Sequence, residues 1–231
     1  MKITILTGAG ISAESGLQTF RDADGLWEGH DVMEVASPQG WHNNQSLVLD
    51  FYNQRRRQLL QVKPNKAHES ITELQRHFHT TVITQNVDDL HERAGNNQVL
   101  HLHGELFKVR SIIDSSLVYD WKKDLNEQDT AEDGGQLRPH IVWFGEAVPM
   151  IPAAIEEMSQ TDLCIVVGTS MQVYPAASLT SYLPTSTKII YIDPNPQLNY
   201  ELNNAGDRLQ IIREKATIGL PELVKQLISK S

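Results

Sequence analysis

The chain has 231 residues, a length that suits one large domain or a large and a small domain. Hydrophobic residues make up 40% and charged residues 21%, an ordinary globular composition that argues against a disordered or fibrous protein. The 29 Asp and Glu residues outnumber the 20 Lys and Arg residues, so the net charge of −9 disfavours a general binder of nucleic acids or anionic membranes.

No segment has the features of a membrane span or an export signal. The longest apolar run, residues 163–167, has five residues, whereas a span needs roughly 20. The N-terminus alternates apolar and polar residues and reaches Gly8 too early for a signal peptide, so we interpret it as a first strand. A single cysteine, Cys164, permits no internal disulfide and no multi-cysteine metal site. We therefore expect a reducing, cytoplasmic setting.

Strand and helix patterns alternate along the chain. Apolar runs that end in turn-forming residues predict strands at residues 3–7, 81–84, 163–167 and 188–192. Helical patterns lie between them at residues 46–61, 65–78 and 151–160. Because the strands are apolar on both faces, the sequence predicts an α/β fold: a Rossmann-like parallel sheet with helices on both faces.

Two segments depart from this alternation. Residues 22–45 contain several Gly and Pro residues and predict a long irregular loop with short helical turns. Loops of that length in a compact domain are usually functional. Residues 111–136 are rich in charged and small polar residues with few aliphatics, and they predict a small surface module.

A glycine-rich turn follows the first predicted strand. The sequence GAGISA at residues 8–13 fits the dinucleotide-binding pattern G-x-G-x-x-A. Its glycines would let the backbone approach a pyrophosphate, and a helix beginning near Ile11 would present free N–H groups to that anion. By itself the pattern is weak, since such a turn can simply join a strand to a packed helix. The usual acidic residue about 20 residues further on is absent, which disfavours a hydride-transferring dehydrogenase.

Further motifs follow in order along the chain. They are TFR at 19–21, TQNVD at 84–88, HLHGE at 101–105, WFGE at 143–146, GTS at 168–170, VYPA at 173–176 and ID at 192–193. Together with GAGISAESG at 8–16, this ordered set strongly resembles the sirtuin family and spans residues 1 to about 220. The resemblance implies an NAD-consuming protein-lysine deacylase. It implies a large domain of about residues 1–20, 80–105 and 138–231, and a small domain inserted as about 21–79 and 106–137.

The resemblance also implies the chemistry. In sirtuin-like reactions the acyl-lysine carbonyl oxygen displaces nicotinamide from the ribose C1′ of NAD, and the acyl group moves to ADP-ribose. His103 would be the general base for the ribose hydroxyls, and Asn86 would order the ribose and a water. A lone His is more often structural, and only its motif singles out His103. His101 has the same parity on the predicted strand and is the rival base.

The cofactor site implied by the resemblance draws on several strand ends. Asp88 would hold the nicotinamide carboxamide, and Phe20 and Arg21 would cover the ribose and touch phosphate. The predicted NAD-binding residues are Gly8, Ala9, Gly10, Ile11, Ser12, Glu14, Phe20, Arg21, Trp27, Gln85, Asn86, Asp88, Gly168, Thr169, Ser170, Asp193 and Ala216. Trp27 either lines the acyl channel or anchors its loop, and the sequence does not decide between the two.

A Tyr-x-x-Arg pair at Tyr52 and Arg55 is similar to that of bacterial class III sirtuins, where it receives the carboxylate of succinyl or malonyl lysine. Residues three apart share one helix face, so this pair can converge on one ligand, whereas Arg55, Arg56 and Arg57 point in three directions. A guanidinium with forked donors suits a carboxylate. The alternative is a solvated helix face, and the family context favours the acyl pocket.

The substrate peptide is expected to pair as an added strand with the segment 142–146 and Val173. Backbone pairing is tolerant of peptide sequence, so the target protein is not readable. The predicted substrate-binding residues are Tyr52, Arg55, Val142, Phe144, Gly145 and Val173.

One departure from the family concerns its structural zinc. Most sirtuins hold zinc with two cysteine pairs in the small domain, but residues 111–136 contain neither Cys nor His. Their Asp and Glu residues offer oxygen ligands, which match a closed zinc site poorly. We predict no metal, and we expect an apolar cluster of Leu117, Tyr119, Trp121 and Leu125 to hold the module.

Two alternative functions compete with deacylation of succinyl, malonyl and acetyl lysine. A protein mono-ADP-ribosyltransferase is disfavoured because it needs no receptor for an acyl carboxylate. A non-catalytic NAD or ADP-ribose sensor is disfavoured by the retention of Asn86 and His103. Acylated protein lysine is the expected partner, with neither nucleic acid nor membrane; relative acyl preference and oligomeric state are not readable.

Overall fold

The structure, a computed structural model, describes residues 1–18, 26–27 and 29–230, without the side chains of residues 26 and 27. The strands are β1 (Lys2–Thr7), β2 (Leu26–Trp27), β3 (His30–Asp31), β4 (His79–Thr84), β5 (Val99–His101), β6 (Gly104–Ser111), β7 (Val118–Asp120), β8 (Leu137–Ile141), β9 (Leu163–Val167), β10 (Lys188–Ile192) and β11 (Leu209–Ile212). The helices are α1 (Val32–Val35), α2 (Pro38–Asn43), α3 (Gln45–Gln61), α4 (Lys66–His77), α5 (Leu90–Arg93), α6 (Ile151–Ser159), α7 (Tyr200–Asn203) and α8 (Ala216–Ile228).

The main sheet has six parallel strands in the order β11-β10-β9-β1-β4-β5. Every residue of β9 is buried, and β1 is buried from its second residue onward, so both faces of the central strands are covered. The chain builds outward from β1 first on one side and then on the other, the arrangement of doubly wound nucleotide-binding sheets. The predicted α/β fold is confirmed.

Two apolar layers cover this sheet. On one face, α4 and α8 pack Ile71, Leu74 and Leu220 against the strands. On the other face lie α6 and the 3-10 helix Ala176–Tyr182, which contribute Met158 and Leu179. The predicted helices 46–61, 65–78 and 151–160 agree with α3, α4 and α6 to within one residue at each end. No helix in the described ranges is long and apolar enough to cross a bilayer.

The glycine-rich turn does not lead into the helix that we predicted near Ile11. Two 3-10 helices, Ala9–Ile11 and Ala13–Ser15, follow instead, and Gly16 ends the second with a φ of +98°. The side-chain amide of Asn65 donates to the carbonyl of Ile11 at 2.8 Å. That carbonyl is thereby taken by another helix's N-terminal residue rather than by the next turn of its own helix.

A second, antiparallel sheet of order β7-β6-β8 forms the small module. Leu125 is buried with Val109 and Leu137, and Leu117, Tyr119 and Trp121 pack against this group. The four residues expected to form an apolar cluster therefore lie together. The short helices α1 and α2 fall in the segment 22–45, as expected of its described part.

Packing divides the chain differently from the predicted domain boundaries at two elements. Helix α4 lies in the predicted small-domain insertion 21–79, but it packs on the main sheet through Ala67 and Leu74. Strand β8 lies in the predicted large-domain segment 138–231, but it pairs with β6 of the small sheet. Each element packs where its apolar side chains are buried, and its position along the chain does not decide its domain.

Candidate active site

The carboxyl ends of the main-sheet strands open into a cavity of about 610 Å³. It lies where the strand order reverses, between β1 and β9, which is where open α/β sheets bind ligands. The predicted site residues that line it are Gly8, Ala9, Gly10, Ser12, Glu14, Arg55, Gln85, Asn86, Asp88, His103, Val142, Phe144, Gly145, Gly168, Thr169, Ser170, Val173, Asp193 and Ala216. The predicted cofactor and substrate residues are thus brought to one cavity.

Other predicted site residues have different positions. The side chain of Ile11 packs in the core beneath the sheet, so only its backbone is near the turn. Tyr52 is fully buried and is not among the described residues that line the cavity. Phe20 and Arg21, and the side chain of Trp27, lie outside the described residues.

Two strand-end turns touch each other at the floor of the cavity. The N–H of Gly10 donates to the carbonyl of Gly168 at 2.7 Å. A Cβ on Gly10 would lie 2.7 Å from the Gly168 Cα, and a Cβ on Gly8 would lie 2.6 Å from the Thr169 Cβ. Gly168 itself has a φ of +61°. The glycines are therefore required by the contact between the two turns, in addition to any approach to a pyrophosphate.

A buried hydrogen-bond network orders the polar groups of the cavity. The Ser12 hydroxyl donates to the Asp88 carboxylate at 3.0 Å and accepts from the Asn86 amide at 3.1 Å. His68 Nδ1 accepts from the Asn65 N–H, so its Nε2 carries the hydrogen that points to the Ser12 oxygen at 3.5 Å. Ser12 thus has one proton to give, and it goes to Asp88.

Burial makes the ionised form of Asp88 energetically unfavourable. Burial raises its pKa to about 6, although hydrogen bonds from the Leu90 N–H and the Ser12 hydroxyl favour the charged form. At neutral pH the group is ionised and can accept hydrogen bonds from a ligand amide. Perturbed buried carboxylates of this kind are common at functional sites.

His103 is a neutral base with a defined tautomer. Its Nδ1 lies 3.0 Å from the carbonyl oxygen of Gln85, which can only accept, so Nδ1 carries the hydrogen. Burial lowers the pKa of His103 below its ordinary value, partly offset by that hydrogen bond. The unprotonated nitrogen is therefore Nε2 at neutral pH, on a residue that lines the cavity.

His101, the rival base, is occupied at both nitrogens. Nδ1 faces the Asn86 carbonyl at 3.0 Å, and Nε2 faces the Glu92 carboxylate at 2.8 Å. Burial alone would lower the pKa of His101, but the hydrogen bond and charge of Glu92 raise it above its ordinary value. A cationic ring that donates from both nitrogens has no lone pair for a substrate proton.

The three consecutive arginines of α3 diverge as their spacing predicts. Arg55 lines the cavity, with its guanidinium 5.1 Å from the centre of the Phe51 ring. Arg56 is buried and donates to the Leu106 carbonyl at 3.0 Å. Arg57 forms an exposed ion pair with Asp124. The Tyr52 hydroxyl, one turn before Arg55, accepts a hydrogen bond from the Trp143 indole at 3.0 Å.

Residues 142–146 form a wall of the cavity next to the small sheet. The N–H of Val142 donates to the His103 carbonyl at 2.9 Å, which ties this wall to the residue with the free imidazole nitrogen. The N–H of Phe144 donates to the Ala36 carbonyl at 2.9 Å, and the Phe144 side chain is 41% exposed. This backbone lies at the mouth of the cavity, where an added strand could reach it.

Comparison with protein families identifies this arrangement. The Sir2 family matches residues 8–175, which contain almost all of the cavity residues. The chain belongs to the Sir2 family. An NAD-dependent protein deacylase of Helicobacter pylori is 58% identical to it over 226 residues, which cover 98% of this chain and 97% of the relative.

Solved Sir2 structures share the whole fold. A Sir2 homologue in complex with NAD is 37% identical, with a TM-score of 0.89 over 99% of this chain and 90% of the other. A Sir2 structure bound to acetylated peptide is 26% identical, with a TM-score of 0.78 over 99% of this chain and 92% of the other. The predicted resemblance to the family is confirmed.

Two residues of this Sir2 site, His68 and Trp143, have no role that the sequence alone predicts. His68 reaches Ser12 from the first turn of α4, and the only local signal is the capping box that it forms with Asn65. Trp143 belongs to the WFGE motif, which does not predict that its indole N–H donates to the Tyr52 hydroxyl. Neither contact has a sequence signature, because each joins residues more than 50 positions apart.

No group of three or more His, Cys, Asp or Glu side chains in the described part of the chain could hold a metal ion. Cys164 is buried in β9, and burial raises the pKa of its thiol to about 12, so it is held as an inert thiol. The expectation that the small module of this Sir2 protein contains no zinc stays a prediction.

Proposed function

We propose that this chain removes acyl groups that end in a carboxylate, succinyl and malonyl, as well as acetyl groups, from protein lysines. As a Sir2 family member 58% identical to an NAD-dependent protein deacylase, the chain is an NAD-dependent protein deacylase. The observation that carries the acyl proposal is that a guanidinium, that of Arg55, lines the same cavity as the neutral imidazole of His103. In bacterial class III sirtuins, which this chain resembles, the arginine of a Tyr-x-x-Arg pair receives the acyl carboxylate, and Arg55 is the arginine of that pair in this sequence.

The described residues fit NAD. The cavity of about 610 Å³ has the size of a small-molecule site. The paired turns at Gly10 and Gly168 leave no side chain between backbone and ligand. Asn86 and Asp88 present polar groups whose orientation is fixed by Ser12. When bound, NAD supplies the ribose carbon that the acyl oxygen attacks and nicotinamide as the leaving group.

His103 would take the proton of a ribose hydroxyl at Nε2. The Gln85 carbonyl accepts from Nδ1 and stabilises the imidazolium that forms, because it keeps its acceptor when the ring becomes charged. The lowered pKa of His103 keeps the ring neutral and ready at pH 7. Asn86 would hold the ribose. Asp88 would accept a hydrogen bond from the nicotinamide amide, as it already accepts one from the Ser12 hydroxyl.

Arg55 would receive the distal carboxylate of a succinyl or malonyl chain. Its guanidinium lies over the apolar Phe51 ring, where a charge-assisted hydrogen bond is less weakened by water. Tyr52 lies one turn before it with its hydroxyl fixed by Trp143. We propose that Tyr52 supports this pocket from within the core, since its ring does not reach the described cavity lining.

The acylated lysine would arrive in a peptide that pairs with residues 142–146 and Val173 between the two sheets. The deacylase that binds acylated proteins in this way needs neither nucleic acid nor membrane as a partner. We place it in the cytoplasm, in keeping with its single cysteine.

The experiment combines NAD with peptides that carry succinyl, acetyl or unmodified lysine, and follows nicotinamide and peptide mass. NAD-dependent loss of the succinyl group supports the proposal. A mass gain of ADP-ribose would indicate a transferase, and binding without turnover would indicate a sensor; either result would overturn the proposal.

Arg55→Met tests the acyl pocket. It should lower kcat/KM for the succinyl peptide about a hundredfold, because the carboxylate loses a charge-assisted hydrogen bond. The acetyl peptide should lose less than threefold. Arg57→Met, which removes an exposed arginine of the same helix, is the matched control and should change neither. Equal losses on both peptides in Arg55→Met would remove the carboxylate-receptor assignment.

A further inference from the structure

The side chain of Glu146 links the cavity wall of residues 142–146 to the small sheet. Its carboxylate accepts from Nη1 and Nη2 of Arg138 at 2.7 and 3.1 Å, and from Nη2 of Arg110 at 3.3 Å. The same carboxylate accepts the Trp143 N–H at 2.8 Å, while the Glu146 N–H donates to the Trp143 carbonyl at 3.0 Å. These bonds close a tight turn over Gly145, whose φ is +89°.

The negative charge of the Glu146 carboxylate offsets the repulsion between Arg110 and Arg138. Arg110 of β6 and Arg138 of β8 are direct cross-strand neighbours, and like charges in that position repel. Both side chains are largely buried, with 14% and 11% exposed, so water screens the repulsion poorly. Although burial opposes ionisation, hydrogen bonds from Arg138 and the Trp143 N–H, with both arginine charges, lower the pKa of Glu146.

Trp143 connects Arg138 of the small sheet with Tyr52 of the proposed acyl pocket. The Arg138 guanidinium lies 3.3 Å from the centre of the Trp143 ring, and the Trp41 ring lies 5.6 Å from it. The indole N–H then donates to the Tyr52 hydroxyl. We call Glu146, Arg110, Arg138 and Trp143 the Glu146 clamp.

We propose that Glu146 is a positioning residue for the acylated peptide: the Glu146 clamp fixes the backbone of residues 142–145 in the arrangement with which the peptide pairs. This inference rests on the proposed function, since it concerns how the deacylase captures its substrate. Glu146 also lines the cavity, but the groups proposed to hold NAD belong to loops of the main sheet, so the inference requires that its loss change peptide affinity and leave NAD affinity unchanged.

Glu146→Gln tests the inference. The amide keeps the shape and one acceptor but removes the charge that balances the two arginines. The expected result is a rise of about tenfold in the KM for acyl peptide, as for a lost charge-assisted hydrogen bond. The kcat and the Kd for NAD, the latter measured by calorimetry, should stay within twofold. A role confined to stability would lower the thermal midpoint and the active fraction and leave KM unchanged.

Glu157→Gln is the matched control. Glu157 is a partly exposed acid, 29% exposed, that pairs with Lys2 at 3.0 Å and accepts from Thr81. It lies at the opposite edge of the main sheet from the cavity, so the peptide KM should not change. Arg138→Lys is a second variant that keeps the charge and loses the forked geometry, and it should raise the peptide KM about threefold.

Peptide affinity is also measured without NAD, by the fluorescence anisotropy of a labelled acyl-lysine peptide. If the wild-type chain shows no deacylation, the proposed function fails, and the anisotropy still decides the inference. If the wild-type chain is active and both clamp variants bind peptide as tightly as it does, the inference is wrong and the proposed function stands.

Discussion

At the residue scale, Asp88 is a buried carboxyl group whose ionised form is disfavoured by burial but is the form proposed to bind NAD. The residue is 6% exposed, and burial raises the pKa of its carboxyl group to about 6, above the ordinary value of 3.8. A raised pKa means that protonation stabilises the folded state. This contribution is therefore fully present at low pH and is lost as the pH rises through about 6. At neutral pH the fold carries an ionised group that burial disfavours.

Asp88→Asn should therefore stabilise the protein at pH 7 while weakening NAD binding. A gap of about two pKa units corresponds to roughly 3 kcal/mol. We expect a gain of about 1 kcal/mol, because Asn keeps only one of the two acceptors that serve Ser12 and Leu90. The thermal midpoint should rise at pH 7, and the difference from wild type should shrink toward pH 5. A lower midpoint at pH 7 would contradict this account.

His103→Asn should reduce acyl loss by a factor of about 10² to 10⁴, the usual contribution of a general base. NAD should still bind within a few-fold of wild type. In the wild-type chain the acid limb of kcat/KM, which reports the free enzyme, should lie below pH 6.5, because burial lowers the pKa of His103. His77→Asn, at an exposed histidine of α4, should leave the profile unchanged. An acid limb above pH 7 would refute the assignment of the base.

The sequence predicted which residues share the site better than it predicted how each one is used. Ordered motifs brought Asn86, Asp88 and His103 to one cavity, because strand ends of a parallel sheet meet at one edge. The pairing of Tyr52 with Trp143 was not readable, since it depends on packing between residues 91 positions apart. The spacing predicted that Tyr52 and Arg55 share one face of α3, but it did not predict that Tyr52 is buried in the core while Arg55 lines the cavity.

At the scale of elements, the conformation of the glycine-rich turn depends on its contact with the turn at Gly168. The motif predicted a ligand contact and a following helix, but the closest neighbour of Gly10 is Gly168, across the β1–β9 pair. The predicted helix is absent: two 3-10 helices follow the turn, and the Ile11 carbonyl accepts from the Asn65 side chain. Local propensity cannot report either contact, since both come from distant parts of the chain.

Gly10→Ala should lower both stability and NAD affinity. The new Cβ would lie 2.7 Å from the backbone of Gly168, which cannot move without shifting β9. We expect a loss of about 2 kcal/mol in the free energy of unfolding, as for overpacking of a tight interior. Gly29→Ala is the control: its φ is +83° with nothing within 4 Å, so only backbone strain of about 1 kcal/mol applies. Equal losses in urea titrations would exclude the turn contact as the cause.

At the scale of the whole molecule, the cavity lies between the main sheet and the small sheet, and α3 links the two sides. Phe51 and Leu59 of α3 pack in the cluster beside the cavity, whereas Leu49 packs in the cluster of the small sheet. The small module is thus joined to the large one by apolar contacts as well as by the Glu146 clamp. The sequence predicted its apolar residues but not the clamp, which needs the register of β6 and β8.

If the small module holds no metal, as predicted, its stability should depend on its apolar cluster. Leu125 is 1% exposed, and Leu125→Ala should lower the free energy of unfolding by about 2 to 4 kcal/mol. Trp121→Ala should cost less, since Trp121 is only partly buried at the edge of the cluster. A strong chelator should leave the thermal midpoint and deacylation of the wild-type chain unchanged, because we expect Leu125 and its neighbours to hold the module in place of a zinc ion. A midpoint that falls with chelator and recovers with zinc would show that a metal holds the module, and the apolar account would then be wrong.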